Sequence, residues 1–165
     1  MNTNQKQGIF ARYRKIILAV ILFMVADSVV IGINFYNTYK ADESAVSINL
    51  SGRQRMLSQR MTKVLLLTQR ALEANDAPGV EKNLKELDLT VNLFNTTLKG
   101  FRDGDTVTGG DGKPAFLTQV ETDKSRQIVT DAYAIWTPYL QLLQPLLGKS
   151  SAPNDTSLET AVTYA

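Results

Sequence analysis

Apolar and polar residues change rhythm several times along this chain. Residues 16–33, IILAVILFMVADSVVIGI, form an apolar run broken only by Asp27, Ser28 and Gly32. Roughly 20 such residues span the hydrocarbon core of a bilayer. Beyond it, residues 37–75 contain no Gly or Pro except Gly52. This predicts one long helix continuing out of the apolar run. Asn75-Asp76-Ala77-Pro78-Gly79 is a turn signal. Leu84, Leu87, Val91, Phe94 and Leu98 then recur at 3–4 spacing, predicting a second helix over 80–99 with Gly100 as its stop.

Residues 101–113, FRDGDTVTGGDGK, hold four Gly and three Asp and read as a loop. A third helix is expected from Pro114 towards Leu147. Its apolar stripe is Phe116, Val120, Ile128, Val129, Ala132, Ile135 and Trp136, and Pro138 and Pro145 should kink or interrupt its end. Residues 148–154 read as another loop. Asp155 or Thr156 is then expected to cap a fourth helix beginning at Leu158, which reads as cut off at Ala165. The expected fold is all-α: a membrane-anchored antiparallel four-helix bundle with a truncated fourth helix.

Charge adds an orientation. Lys6, Arg12, Arg14 and Lys15 precede the apolar run with no acidic residue among them, and Tyr36 and Tyr39 follow it. Basic residues ahead of a span place the N-terminus in the cytoplasm, and aromatics gather at the interface. The partition is a cytoplasmic tail at 1–15, a transmembrane helix at 16–36 and a periplasmic helical sensor at 37–165. A buried core helix is disfavoured by the basic flank, and a cleaved signal peptide is the other competing reading. The run is long for one and ends without a small-x-small site. Asp27 either faces a second membrane helix or dimer partner, or is a tolerated polar residue in the outer half of the span.

The chain of 165 residues has no Cys and no His. Thiolate zinc sites, iron–sulfur clusters, Cys nucleophiles and His-based triads are excluded. No G-x-S-x-G, S-x-x-K or phosphate-binding glycine motif is present, so no enzyme and no cofactor is expected. The Asp/Gly-rich stretch lacks the spacing and terminal Glu of a calcium loop, and no metal is expected. A net charge of +2 makes no case for nucleic acid. A pilin-like subunit is disfavoured, because no Glu lies near Gly8 and Arg12, Arg14 and Lys15 intrude.

The most distinctive stretch is Ile48-Asn49-Leu50-Ser51-Gly52-Arg53-Gln54-Arg55-Met56-Leu57-Ser58-Gln59-Arg60-Met61. On a helix, Leu50, Leu57, Met61, Val64, Leu65, Thr68 and Leu72 share one face, which suits the bundle core. Arg55 lies on another face, beside Ile48, Ser51, Gly52, Ser58, Gln59 and Thr62. Small residues there admit a second helix closely. A parallel dimer would bring Arg55 near its own copy, and a small anion between the two guanidinium groups would remove their repulsion. A solvated basic face formed by Arg53, Arg55 and Arg60 fits the spacing as well.

The IxLSGRQRMLSQRM stretch resembles the signature of the PilJ-type sensing domain of type IV pilus methyl-accepting chemotaxis transducers. It is also similar to a shorter motif of nitrate/nitrite sensor kinases, matched here by Ile48, Asn49, Gly52, Arg55, Met56, Ser58 and Arg60. The resemblance implies a dimeric periplasmic four-helix sensor in the bacterial inner membrane. It further implies that Arg55 of both protomers grips a small anion such as nitrate or nitrite, assisted by backbone near Gly52. Arg53, Ser51 and Ser58 are weaker candidates. Full-length relatives continue into a second membrane helix, a HAMP linker and a signalling module. The competing reading within this family is a ligand-independent module sensing a pilus or envelope protein.

Overall fold

The computed structural model describes residues 3–147 and 155–164. Contacts group the chain into two compact units, Met1–Ser44 and Ala45–Ala165. The first unit is built from helix α1, whose full range is Thr3–Glu73. Among the described residues α1 alone is long and apolar enough to cross a membrane. Side chains over 13–42 are exposed throughout. Leu22, Phe23 and Ile31 thus face outward, which hydrocarbon tolerates and water does not. Ser28 and Thr38 donate to the carbonyls of Met24 and Asn34 at 2.8 and 2.9 Å, so their hydroxyls are satisfied within the helix. The basic side chains of Lys6 and Arg12 lie outside the described residues.

The second unit holds the remainder of α1 and helix α2 (Ala77–Asp103). A hairpin of β1 (Asp105–Thr108) and β2 (Pro114–Leu117) follows, then helix α3 (Asp123–Leu143) and helix α4 (Asp155–Tyr164). The all-α expectation holds in its essentials: four helices, with one small hairpin inserted.

The α1–α2 turn is tighter than expected. Asn75 takes a left-handed conformation at φ 55°, and Asp76 caps α2 by accepting the Gly79 N–H at 3.1 Å. Pro78 then falls in the first helical turn, where its missing N–H has no cost. Helix α2 therefore starts at Ala77 and not at Val80. Gly100 does not stop it. The helix runs on to Asp103, and Gly104 ends it with φ +74°. Gly100 is bare for another reason. A Cβ there would meet Val107 Cγ1 at 2.7 Å and Leu117 Cδ1 at 3.2 Å, so the missing side chain lets the hairpin seat against α2.

The hairpin is the main departure from expectation. Residues 101–113 are not one loop, and the third helix begins at Asp123, not Pro114. The segment Thr106-Val107-Thr108 is β-branched and suits a strand. It pairs antiparallel with Pro114–Leu117, Val107 opposite Ala115. The glycines supply the reversal: Gly109 N–H donates to Lys113 O, Gly112 N–H donates to Gly109 O, and the Asp111 carboxylate accepts from Lys113 N–H. The alternation sends Val107 and Leu117 inward against Leu50 and leaves Phe116 exposed.

Thr122 caps α3 by accepting the Ser125 N–H at 3.1 Å. Its buried face is Trp136, Tyr139 and Leu143. Ile128 and Ile135, expected in the core stripe, are 59% and 67% exposed. Pro138 lies inside the helix without ending it, and Pro145 sits in a 3-10 turn, Gln144–Leu146. Pro138 and Ala134 are both exposed, so water can serve the carbonyl left without a donor. Helix α4 begins at Asp155, ahead of the expected Leu158. The 148–154 loop and the capping side chains of Asp155 and Thr156 lie outside the described residues.

The core gathers Met61, Val64 and Leu65 of α1, Leu84, Leu87 and Val91 of α2, Trp136 and Leu143 of α3, and Leu158 and Ala161 of α4. Cross-links give the helix directions. Gln54 reaches Phe94 and Arg60 reaches Glu86, so one number rises as the other falls, as antiparallel neighbours require. Asn95–Trp136 and Arg102–Tyr133 show the same for α2 and α3.

Candidate functional site

The motif occupies α1 between Ile48 and Met61, and the helix sorts its residues by face. Leu50, Leu57 and Met61 are buried, as are Val64, Leu65 and Thr68 further along. The expected core face is the observed one, with Leu72 half-buried at its end.

The three motif arginines have different surroundings. Arg53 is half-buried and turned to the hairpin. Its Nη1 donates to the carbonyls of Thr108 and Gly109 at 2.6 and 2.8 Å. It fixes the tip of the hairpin against α1, and Gly110 lies close by Asn49. Arg60 pairs with Glu86 of α2 at 2.8 Å. Arg55 is exposed, and its guanidinium has no hydrogen-bond or ion-pair partner among the described residues. One guanidinium of the three is thus left with its donors unused by the described residues.

Around Arg55 the surface is open. Gly52 is exposed, and a Cβ there would meet nothing within 4 Å. Among the described residues, no contact requires a glycine at this position. Ser51 and Ser58 are exposed, but their hydroxyls donate to the carbonyls of Ile48 and Arg55, each at 2.8 Å. Ile48 is 71% and Met56 50% exposed, so apolar side chains flank the arginine on a surface the chain itself leaves uncovered. Ile48, Gly52, Arg55, Gln59, Thr62 and Leu66 follow one another at alternating steps of four and three, the spacing of a helix–helix seam. Gln59 is exposed, on the same face and without a partner among the described residues. Helical spacing places Gln59 beside Arg55, but the motif resemblance does not mark it as a ligand.

Beside this face is a cavity of about 420 Å³ lined by Ser58, Gln59, Thr62, Phe94, Trp136 and Tyr139, among others. Phe94 and Trp136 pack with ring centroids 4.3 Å apart, and Trp136 Nε1 donates to Asn95 at 2.9 Å. Burial pushes the Tyr139 phenol up to about 12. No group of three or more Asp or Glu able to hold a metal ion occurs among the described residues.

Helix α1 carries both a long apolar segment and, further along, the exposed Arg55. A family model for the N-terminal domain of type IV pilus methyl-accepting chemotaxis transducers, PilJ, matches residues 36–156. The chain belongs to that family. No curated protein and no solved structure matches it significantly. The family is one of sensory transducer domains, not of catalysts.

Proposed function

We propose that this domain senses a small planar anion, nitrate or nitrite, held between Arg55 of one copy and the partner's Arg55 across a two-fold axis. The observation that carries this is the state of the Arg55 guanidinium: exposed, without a partner among the described residues, and set beside a glycine whose bareness serves no contact among them. A second copy supplies a use for both features. Gly52 lets another helix approach, and Ile48 and Met56 give it apolar surface to cover.

The physics of the switch is differential binding. Without anion, two guanidinium groups facing each other across the axis repel. An anion between them accepts from both planar forks and stabilises only the arrangement that brings both within reach. A ligand with no such preference would move nothing. In this reading α1 is the moving part. The domain faces the periplasm, residues 16–36 cross the bacterial inner membrane, and the basic tail stays in the cytoplasm.

The test is sedimentation of the full chain in detergent micelles, with and without nitrate. Anion-dependent dimerisation that disappears in Arg55→Ala supports the site. A mass unaffected by nitrate, with transducer output unaffected by Arg55→Ala in cells, would favour an envelope-protein ligand instead.

A further inference from the structure

We infer that Gln59 is a second anion-contacting residue, supplying carboxamide N–H donors from each copy to the anion held by the two Arg55 side chains. This rests on the reading of Arg55 just given and adds a residue to it.

An ionised anion only accepts hydrogen bonds, so its site must be built from donors. Most polar side chains along this part of α1 are already committed. The hydroxyls of Ser51, Ser58 and Thr62 donate to the carbonyls of Ile48, Arg55 and Ser58 at 2.8, 2.8 and 3.2 Å. What they still offer a ligand is lone pairs, which an anion repels. Arg53 and Gln54 donate to carbonyls of the hairpin and of Phe94, and Arg60 to Glu86. Within one helical turn of Arg55 on its face, the side-chain donors left without a partner among the described residues are those of Arg55 and Gln59.

Their spacing suits a shared ligand. Four residues place Gln59 about 6 Å along the axis and about 40° around it from Arg55. Side chains so related are surface neighbours. The next cation on this side without a partner among the described residues, Lys63, lies about 12 Å along the axis, beyond the span of an anion of a few atoms. Gln59 and Arg55 are both exposed, so the carboxamide has room to swing towards the guanidinium. Nitrate presents three oxygens. Two guanidinium forks cannot occupy all their lone pairs, and an amide N–H from each copy can meet those left over. Chloride has no such separate acceptor atoms, so Gln59 should favour the oxyanion.

The experiment is calorimetric titration of the full chain in micelles with sodium nitrate and sodium chloride. The variants are Gln59→Leu, Gln59→Glu and Arg55→Ala, each also melted without nitrate. Gln59→Leu should bind nitrate about 10- to 100-fold more weakly, the worth of a hydrogen bond to a charged group, with unchanged melting and a reduced preference over chloride. Gln59→Glu should bind more weakly still, because its carboxylate repels the anion. Wild-type affinity in Gln59→Leu, with Arg55→Ala inactive, would overturn the role of Gln59 and leave the Arg55 site standing. No binding by the wild type would overturn both. Weaker binding with a parallel fall in nitrate-free melting would make Gln59 a packing residue and also overturn the inference.

Discussion

Arg53 and Arg55 lie two residues apart on α1 and are put to opposite uses. Arg53 closes onto the Thr108 and Gly109 carbonyls of the hairpin, while Arg55 stands exposed with no partner among the described residues. Two residues are about 200° of helical rotation, so the motif delivers one guanidinium to the protein's own interior edge and the other to its surface.

Arg53→Ala should therefore loosen the hairpin. The two carbonyls lose a charged donor, a loss of roughly 1–3 kcal/mol. Hydrogen exchange is the check: amides of 105–117 should exchange faster, while those of the α2 core around Leu87 keep their protection. Unchanged exchange in the hairpin would contradict the clamp.

Gly100→Ala pits helix propensity against packing. In an exposed helix interior Ala would stabilise by about 0.5–1 kcal/mol. Here the new methyl meets Val107 Cγ1 at 2.7 Å, so overpacking by about 1–3 kcal/mol should dominate. Thermal unfolding should move down. An upward shift would mean that the hairpin does not seat on Gly100.

Gly52→Ala should give the reverse sign. Its Cβ meets none of the described residues within 4 Å, so the protomer should gain about 0.5–1 kcal/mol. The same methyl would stand between two helices in a dimer. Higher melting together with weaker anion-dependent dimerisation is the expected pair. Higher melting with dimerisation intact would place the seam elsewhere.

Tyr139 supplies a pH test. Burial raises its phenol to about 12 from an ordinary value of 10. The folded state then holds the proton that the unfolded state gives up between those values. This contribution is fully present below pH 10 and is lost as pH rises towards 12, on the order of 2–3 kcal/mol in all. Tyr139→Phe should lose less stability over that window than the wild type, measured by denaturant midpoint. Equal slopes would mean the hydroxyl is not buried.

Much of this was legible in residue order. The Leu50–Leu57–Met61–Val64 face, the apolar run and the Asn75–Pro78 turn follow from period and turn chemistry, which act locally. The hairpin was not legible as such. Its strands are four residues each, too short for an alternation to stand out, and Phe116 mimicked a helical stripe with Val120. Gly100 read as a stop because its packing partners, Val107 and Leu117, are a strand pair away in sequence. At the site, spacing placed Arg55 on its face but could not separate it from Arg53 and Arg60. That separation needs Thr108, Gly109 and Glu86, which only the folded chain brings near.

Calorimetric stoichiometry of nitrate on the full chain, wild type beside Arg55→Ala, tests the central claim most directly. One anion shared by two copies predicts saturation at about half an equivalent per chain, with no heat from the variant. Saturation at one equivalent per chain, or binding that survives in Arg55→Ala, would contradict an anion gripped by Arg55 across a two-fold axis.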